Sequence, residues 1–498
     1  MSAPAAYDDL RNRLAEISDL GGIGQLLFWD QQTKMPVAGA NSRAEQTASL
    51  GKLSHQMFVA DEIGRLLDEL RGYEESLPGE SDEASLIRVA RHDWTKARQV
   101  PPELTAEMRR SASLALRAWA EARPKSDYEA LKPHLERNLD LRRRYVDCFE
   151  PADEPYDILL DDYERGMKTA EVRAVFERLK EGLIELLHAV EPADASPLDR
   201  VFPQEGQELF AMHVLDRFGF DPASWRIDPT AHPFMSSPGH KDIRLTTHYS
   251  ERGLHSLFAT MHEFGHGIYE SGIDAKLART PLGTGASMGL HESQSRMWEN
   301  LVGRSRPFWS HFYPELQQIF PGVLDDVDEE AFFRAVNAVK PSLIRVDADE
   351  VTYSLHIILR FELEQELLAG TLSLDDLPEA WNARMKEYIG IDVPNDADGV
   401  LQDMHWSSGS LGYFPTYALG NVISVQIWNA ALEAIPEIPQ QVGEGEFAAL
   451  REWLTENLYR HGRKFTPVEM LERITGSPID PEPYLAYLRD KHLAAATA

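Results

Sequence analysis

Apolar residues recur every three or four positions along most of the chain, which is the spacing of an amphipathic α-helix. The first segment shows this spacing at Leu10, Leu14, Ile17 and Leu20. No internal repeat or low-complexity linker divides the chain, so we expect one mainly helical domain over residues 1–498. After the first helix, the periodicity predicts helices over 102–122, 126–148, 169–191, 205–218, 253–271, 292–303, 329–338, 349–369, 421–434 and 447–460.

Residues 242–248 follow a different pattern, because their apolar and polar side chains alternate. Ile243, Leu245 and Thr247 share one face, and Arg244 and His248 lie on the opposite face together with Asp242 and Thr246. The alternation predicts a strand, which we place in a small sheet. An exposed edge of such a sheet beside a functional site could pair with an extended peptide.

The predicted helix 253–271 contains the sequence His-Glu-Phe-Gly-His at residues 262–266. His262 and His266 are four positions apart, so a helix places them on one face, where both can bind the same metal ion. Glu263 lies beside that face and could reach a metal-bound water without binding the metal. Two unrelated surface histidines would give the same short pattern. The helical setting and a carboxylate further along the chain favour the metal site.

A hydrolytic zinc site needs a third protein ligand and one open position for water. Glu292 is our choice, because segment 281–290 contains Pro and Gly and helical spacing resumes after it. His291 is the alternative ligand, and Glu292 could also be a solvated carboxylate at the start of a helix. In the complete site Glu263 would take a proton from the metal-activated water, which then attacks a carbonyl group.

Segment 399–420 mixes turn residues with aromatic side chains, so we expect a loop with polar groups at its tips. The oxyanion that forms when water attacks a carbonyl needs a hydrogen-bond donor. Tyr413 and His405 are the candidates for this role. Ordinary aromatic packing would explain both residues as well, and their sequence alone does not decide between the two interpretations.

Two arginines are candidates for binding a substrate carboxylate. Arg345 lies between apolar residues near the start of a predicted helix, and Arg244 lies on the polar face of the predicted strand. A guanidinium group can hold a carboxylate through two hydrogen bonds. His248, on the same face as Arg244, completes the set of expected substrate contacts. An internal ion pair between Arg345 and one of two nearby aspartates, Asp347 or Asp349, is the alternative.

The composition restricts the possible partners. The chain has 50 Lys and Arg against 81 Asp and Glu, which gives a net charge of -31. Such a surface argues against nucleic acid and anionic membranes as partners. Only 13 of the basic residues are lysine. This composition suits a salty medium, where screening relieves repulsion, or simply an acidic cytosolic protein.

The compartment can also be inferred from the sequence. Cys148 is the only cysteine, so no intramolecular disulfide can form, which fits a reducing compartment. The N-terminus has no basic region followed by an apolar run, so we expect no signal peptide. No stretch of about 20 apolar residues could span a bilayer. We therefore expect a cytoplasmic protein that does not enter membranes.

Several of these motifs together resemble the carboxypeptidase Taq family of zinc metallocarboxypeptidases. They keep their order along nearly the whole chain, which makes the resemblance far more specific than the histidine motif alone. The matching stretches are WDQQTKMPVAGANSRAEQ at 29–46, HPF at 232–234, DIRLT at 242–246, HEFGH at 262–266, HESQ at 291–294, IRVDAD at 344–349, GVLQDMHW at 399–406 and GYFP at 412–415.

The resemblance implies an all-α fold with a deep cleft similar to that of neurolysin and angiotensin-converting enzyme, and usually a homodimer. The small sheet would lie next to the active site. The family removes single residues from free C-termini of peptides, with broad side-chain tolerance. The resemblance supports Glu292 as third ligand and places Arg244, Arg345, His405 and Tyr413 around the substrate. Zn²⁺ is the expected cofactor, and Co²⁺ is the alternative because some members work with it.

Two other functions stay open at this stage. An oligopeptidase-type metalloendopeptidase would use the same metal chemistry without requiring a free C-terminal carboxylate. A non-catalytic helical scaffold that binds peptides would have a vestigial site. The intact Glu263 argues against the scaffold, because loss of the general base would be the simplest sign of an inactive enzyme.

Overall fold

The helices follow the apolar periodicity of the sequence. The computed structural model describes residues 3–493. The helix expected at 102–122 is found with these bounds, and Pro102 occupies its first turn, where a missing N–H is tolerated. The helices before the sheet are α1 (Ala5–Thr33), α2 (Ala40–Phe58), α3 (Asp61–Glu69), α4 (Arg71–Ser76), α5 (Asp82–Gln99), α6 (Pro102–Ala122), α7 (Tyr128–Val146), α8 (Pro155–Leu160), α9 (Thr169–Ala189) and α10 (Gln204–Phe218).

Three short strands follow: β1 (Trp225–Pro229), β2 (Met235–Gly239) and β3 (Asp242–Thr247). β3 is the central strand; it pairs with β1 in parallel, with Trp225 opposite Ile243, and with β2 in antiparallel orientation, with Met235 opposite Leu245. The strand expected at 242–248 is confirmed over Asp242–Thr247. The expected all-α fold with a small sheet is therefore confirmed.

The helices after the sheet complete the fold. The expected loop over 399–420 is shorter than predicted, because a helix already begins at Pro415. The helices are α11 (His255–Gly272), α12 (Met288–Arg296), α13 (Arg306–Ile319), α14 (Glu329–Val336), α15 (Tyr353–Ala369), α16 (Leu377–Ile389), α17 (Pro415–Ala434), α18 (Ile438–Gly443), α19 (Ala448–Asn457), α20 (Pro467–Thr475) and α21 (Glu482–Leu493).

The expected helix at 349–369 begins later than predicted. Asp349 accepts the backbone N–H groups of Val351 and Thr352, which forms a turn, and α15 starts only at Tyr353. An aspartate bonded to nearby N–H groups competes with helix formation in this way. Arg345 consequently lies in a short 3₁₀ turn at Arg345–Asp347, not in the helix itself.

α11 lies between the sheet and α12, and glycines allow the close approach on both sides. A Cβ at Gly265 would lie 2.4 Å from the backbone oxygen of Gln294 in α12. A Cβ at Gly267 would lie 2.6 Å from the ring of Trp225 in β1. The missing side chain of Gly265 therefore lets α12 lie directly against α11, and that of Gly267 lets the sheet lie against the other side of α11.

The buried side chains form two apolar clusters among the described residues. The large cluster extends from α6 to α21 and includes the residues of α11, α12, α15 and α17. A smaller cluster joins α1, α3 and α5 to Ile273, Leu277 and Leu282. Within residues 3–493, no helix is both long and apolar enough to cross a membrane.

Candidate active site

Two histidines and a glutamate converge between α11 and α12. The Nε2 atoms of His262 and His266 lie 3.6 Å and 3.5 Å from Oε2 of Glu292. Donor atoms of all three residues lie within 4.8 Å of one another. Two ligands of a tetrahedral zinc ion, each about 2.0–2.1 Å from the metal, are about 3.4 Å apart. The spacing of the three residues therefore fits a single metal ion. We refer to His262, His266 and Glu292 together as the metal cluster.

Both histidines are oriented by hydrogen bonds on the side away from Glu292. Nδ1 of His262 lies 3.0 Å from Oε2 of Glu299. Nδ1 of His266 lies 2.8 Å from Nδ1 of His291, whose Nε2 is 2.8 Å from Oε1 of Glu270. Such contacts fix the ring so that the other nitrogen faces the metal. His291 is thus placed behind a histidine and outside the three-residue cluster, which favours Glu292 over His291 as the ligand.

The carboxylate of Glu292 is itself held in place. Nε of Arg296 donates to Oε1 of Glu292 at 2.8 Å, and Oγ of Ser295 donates to Oε2 at 3.1 Å. Burial would raise the pKa of Glu292, but Arg296 and the two histidines outweigh it and hold this pKa well below the usual range. Glu292 is therefore an anion, which is the form that binds a metal.

Glu263 differs from its neighbours. It is buried, and its carboxylate makes no hydrogen bond or ion pair with any residue that the structure describes. Burial is the main cause that raises its pKa, to about 7, and the negative charges of Glu292 and Glu299 add to this effect. A carboxylate with a raised pKa and free oxygens beside a metal cluster is suited to accept a proton.

The charge around the histidines favours a cation. Burial lowers the pKa of His262, yet Glu292 and Glu299 outweigh it and raise this pKa above its usual value. The same carboxylates would attract a metal ion. Burial lowers the pKa of His266 to about 4, so this imidazole is neutral and can bind metal through its lone pair.

Arg345 lies in a buried network of charges. Its Nη2 is 2.9 Å from Oδ1 of Asp403, whose Oδ2 is 2.6 Å from Nη2 of Arg360. Its Nη1 donates to the hydroxyl of Tyr353 at 3.0 Å. The alternative prediction, an ion pair with Asp347 or Asp349, named the wrong partners. Arg345 does form an internal ion pair, but with Asp403, which is 58 positions further along the chain.

The Tyr353 ring connects this network to the metal cluster. The guanidinium of Arg296, which binds Glu292, lies 4.2 Å from the ring centroid of Tyr353. The opposite end of the same tyrosine, its hydroxyl group, binds Arg345. One aromatic side chain thus separates Arg345 from Arg296, which holds the carboxylate of Glu292.

Tyr413 and His405 lie in the segment between Asp396 and Phe414, and Tyr417, in the first turn of α17, lies beside them. The Tyr413 ring is 5.1 Å from Tyr417 and 5.6 Å from His405, and Nε2 of His405 is 3.3 Å from the Tyr417 hydroxyl. Burial and the charge of Glu292 raise the pKa values of both tyrosines, so both hydroxyls stay protonated donors. Tyr417 was not proposed as a site residue from the sequence.

The structure does not bring Arg244 and His248 to the metal cluster. Arg244 pairs with Asp242 at 2.8 Å, and its guanidinium lies 4.4 Å from the ring centroid of Trp29 in α1. Ile243, the neighbour of Arg244 in β3, packs against Gly267 of α11. Arg244 therefore lies on the face of the sheet that is turned away from α11. His248 is exposed and its Nδ1 lies 3.1 Å from the backbone oxygen of Thr230. Neither bonds to a residue of the cluster within the described chain.

The contacts that sequence reasoning missed are mostly long-range. Four residues orient the metal cluster: Glu270, His291, Arg296 and Glu299. Only His291 and Arg296 lie on α12 together with Glu292, so helical spacing could have suggested these two alone. Asp403 lies within the QDMHW stretch, where no local pattern indicates its partner. A buried carboxylate between two arginines is visible only once the fold has brought residues 345, 360 and 403 together.

The model of the carboxypeptidase Taq (M32) metallopeptidase family matches residues 9–492. The chain belongs to this family. It is 41% identical to thermostable carboxypeptidase 1 of Thermus thermophilus, with 99% of each chain covered. It is 36% identical to carboxypeptidase 1 of Bacillus subtilis, with 98% of this chain and 97% of that protein covered.

Solved structures of carboxypeptidases agree with this assignment. The M32 carboxypeptidase from Deinococcus radiodurans R1 gives a TM-score of 0.96 at 41% identity, over 99% of this chain and 100% of the other. A carboxypeptidase structure from Pyrococcus furiosus gives 0.94 at 34% identity, over 99% of both chains. The expectation of a metallocarboxypeptidase of the carboxypeptidase Taq family, a hydrolase of peptide bonds, is therefore confirmed.

Proposed function

We propose that the chain removes residues one at a time from free C-termini of peptides, using a zinc ion held by His262, His266 and Glu292. The observation that carries this proposal is the convergence of these three side chains, with both histidine Nε2 atoms 3.5–3.6 Å from Oε2 of Glu292, beside the unbonded carboxylate of Glu263. Two histidines and one glutamate are a ligand set of catalytic zinc in other peptidases. Cobalt is the alternative ion, because the same nitrogen and oxygen donors suit it.

The protein groups supply the proton transfers. A bound zinc ion would polarise the peptide carbonyl and lower the pKa of a water at the fourth position to about 7. Glu263 accepts the proton of the attacking water and later gives it to the leaving amine. The hydroxyl of Tyr413, with Tyr417 and His405 behind it, donates to the oxyanion that develops on the carbonyl oxygen.

Arg345 is our choice for the group that recognises the C-terminal carboxylate. It lies one aromatic side chain away from the metal cluster, and Asp403 and Tyr353 fix its guanidinium. Arg244 lies on the far face of the sheet, and we assign it, with His248, to the wall that a longer peptide contacts. A protein with a net charge of -31 attracts an anionic terminus only through such local cations.

The decisive experiment compares a free-acid peptide with its C-terminally amidated form on metal-loaded enzyme. A charge-assisted hydrogen bond is worth about 1.5–3 kcal/mol, so we expect the amide to be cut at least about tenfold more slowly. Arg345→Gln should erase this difference, whereas the matched control Arg244→Gln should keep it. Glu263→Gln should keep its metal and lose about 10²–10⁴ in kcat.

Equal cleavage of acid and amide, or internal fragments as first products, would show that the protein is a metalloendopeptidase. If Arg345→Gln still cuts the free acid faster than the amide, another residue binds the C-terminal carboxylate. Normal turnover of the metal-loaded Glu263→Gln variant would exclude Glu263 as the general base. Binding of peptides without any cleavage, at full metal loading, would favour the scaffold.

We further propose that the protein acts in the cytoplasm as a single domain that forms a homodimer. Apolar side chains on α1 and on the connection to α2 are exposed, among them Phe28 at 50% and Val37 at 91%. A second copy could cover them, since contiguous exposed apolar residues mark interaction surfaces. Light scattering should give twice the chain mass, and Phe28→Ser with Val37→Ser should reduce it to the mass of one chain.

A further inference from the structure

A cavity of about 460 Å³ lies between α5, α6, α7 and the turn at Ser408–Gly409. Met108 and Leu141 contribute apolar wall, and His55 of α2 closes one side. The turn belongs to the same segment as His405 and Tyr413. One segment of the chain thus runs from the cavity wall to two residues of the candidate active site.

The carboxylates on the cavity wall already have cationic partners. Oδ1 of Asp162 lies 2.7 Å from Nζ of Lys96. Oδ2 of Asp93 lies 2.9 Å from Nη1 of Arg463. Asp93 and Arg463 neutralise each other. Lys96, however, also pairs with Asp161 at 2.6 Å, so one negative charge remains between Asp161 and Asp162. The charge of the cavity then depends on the remaining ionised groups.

Two arginines on the wall have no such partner. Arg109 and Arg142 form no hydrogen bond or ion pair with any residue between 3 and 493. Arg142 is half-buried, lies 5.6 Å from the ring centroid of Tyr145, and points its Nη2 to within 3.6 Å of where a Cβ of Gly409 would be. Unpaired guanidinium groups in a chain with 31 excess negative charges leave the cavity positive.

The distance from the cavity to the catalytic groups can be bounded. Gly409 precedes Tyr413 by four positions, so at most about 14 Å of chain separates them. An extended peptide rises about 3.3 Å per residue. A substrate whose scissile bond lies at Tyr413 would thus need only a few extended residues on the N-terminal side of that bond to reach the cavity. Tyr163 follows Asp162 of the cavity wall, and its ring lies 5.1 Å from that of Tyr413, which gives a second link between the two places.

We propose that Arg109 and Arg142 bind an acidic side chain of the substrate, a few residues before the bond that is cut. This inference rests on the proposed carboxypeptidase function and names a substrate class for it: peptides with Asp or Glu at that distance from the C-terminus. Charge repulsion from the rest of the acidic molecule disfavours such peptides, and the two arginines offset it locally. An aspartate or glutamate carboxylate fits a pair of guanidinium groups through charge-assisted hydrogen bonds.

The test uses free-acid peptides with the same C-terminal residue and a single Glu, or Gln in its place, at one to six positions before the scissile bond. On metal-loaded enzyme we expect kcat/KM to be about tenfold higher for Glu than for Gln at one of these positions, where the side chain reaches the cavity, and about equal at the others. Molar potassium chloride should reduce the ratio, since the groups are partly exposed. Arg142→Gln should bring the ratio to about one by slowing cleavage of the Glu peptide.

Matched controls are available beside each arginine. Arg144→Gln on α7 and Arg110→Gln on α6 lie outside the cavity and should leave the ratio unchanged. Should Arg142→Gln fail to fold, Arg109→Gln, an exposed position, carries the same expectation. A ratio near one at every position in the wild type, or a ratio that both cavity variants retain, would overturn the proposal.

Binding separates this inference from the proposed function. Fluorescence polarisation measures the affinity of labelled Glu and Gln peptides without requiring cleavage. Tighter binding of the Glu peptide that Arg142→Gln abolishes supports the cavity even if no residue is released. Equal binding of the two peptides argues against the cavity even if both are trimmed normally from the C-terminus.

Discussion

Glu299 shows how a residue close to a metal cluster can act without binding the metal. One of its oxygens lies 3.0 Å from Nδ1 of His262, and the other lies 3.2 Å from Nη2 of Arg304. Burial would raise the pKa of Glu299, but the bond to His262 and the charge of Arg296 lower it to about 2. Glu299 is therefore a fixed anion that orients His262 toward Glu292.

At the residue scale we predict different metal affinities for two glutamate variants. Glu292→Ala removes one of three ligands and should abolish stoichiometric metal binding. Glu299→Ala removes only the partner of a ligand, which typically costs 10–100-fold in affinity. Elemental analysis after dialysis against a graded series of chelator concentrations measures both. Loss of metal from Glu299→Ala alone would show that the third ligand is misassigned.

Glu164 is a buried carboxylate with little compensation. It is fully buried and accepts the backbone N–H of Gly289 in the first turn of α12. Burial raises its pKa from the usual value of 4.5 to about 7, although the Gly289 N–H and the Ser287 hydroxyl lower it. The folded protein therefore binds this proton more tightly than the unfolded chain. Its stabilising contribution is complete below about pH 4.5 and is lost as the pH rises through 7.

We predict that Glu164→Gln weakens the pH dependence of stability. One pKa unit corresponds to 1.36 kcal/mol, so the free energy of unfolding of the wild type should fall by about 2–3 kcal/mol between pH 5 and 8 through this group. The glutamine variant should lose this component, while Glu185→Gln, at an exposed position, should retain it. Urea unfolding at the two pH values measures the difference. An identical pH dependence in both variants would argue against a raised pKa in the folded state.

At the scale of elements, one buried carboxylate fixes the segment that carries His405 and Tyr413. Oε1 of Glu364 in α15 accepts from the Trp406 indole at 2.8 Å. Oε2 accepts from the Gly412 backbone at 2.9 Å and from the Tyr156 hydroxyl at 2.5 Å. The segment is therefore anchored to α15 at a residue following His405 and at a residue preceding Tyr413.

We predict that Glu364→Gln lowers kcat more than it lowers metal content. An amide has one oxygen and one NH₂ group, so in either orientation the NH₂ group faces a donor from Trp406 or Gly412. An unsatisfied buried donor costs about 1–3 kcal/mol, and the segment can relieve it by moving. Kinetics and elemental analysis on the same preparation measure the effect, with Glu366→Gln on the same helix as control. Unchanged kcat in a folded, less stable variant would show that Glu364 serves the fold alone.

The sequence predicted those elements whose identity is decided locally. α11 has apolar residues at helical spacing, and its two histidines come together through that spacing alone. β1 and β2 were not predicted, because WRIDP alternates over only four residues before its proline and MSSPG consists mostly of small residues and proline. Pairing with β3 decides their structure. α2 was missed because none of its side chains is buried, so it has no apolar face to detect.

The site residues divide in the same way, into those that a local pattern predicts and those that long-range packing places. The sequence predicted that His262, His266 and Glu292 come together, because each is set by local helical spacing or by one turn between two helices, and the structure brings them within reach of one ion. The partner of Arg345 was not predicted, since Asp403 is 58 positions away and local reasoning favoured the nearer aspartates. The position of Arg244 against Trp29 likewise depends on the packing of α1 on the sheet. Long-range contacts of charged side chains leave no periodic signal in a sequence.

At the scale of the whole molecule, the charge is strongly unbalanced. The 81 acidic residues exceed the 50 basic residues by 31, so many carboxylates have no cation to pair with. The ion pairs that do form are mostly on the surface, where each contributes about 0–1 kcal/mol. Examples are Arg65 with Glu62 and Arg137 with Asp140. Repulsion among the unpaired carboxylates should therefore outweigh the pairs.

We predict that the thermal midpoint of the metal-saturated protein rises with potassium chloride at pH 7.5. Salt screens both the repulsion and the surface pairs, and the repulsion is the stronger of the two because the charge is unbalanced. The Debye length falls from about 30 Å at 0.01 M to about 10 Å at 0.1 M, so most of the rise should occur at low salt. The control is the same titration near pH 5, close to the sequence pI of about 4.9. There the net charge is small, so screening should change the midpoint little. A flat or falling midpoint at pH 7.5 would show that the ion pairs dominate, and an equal rise at pH 5 would point to a general salt effect on protein hydration instead of charge screening.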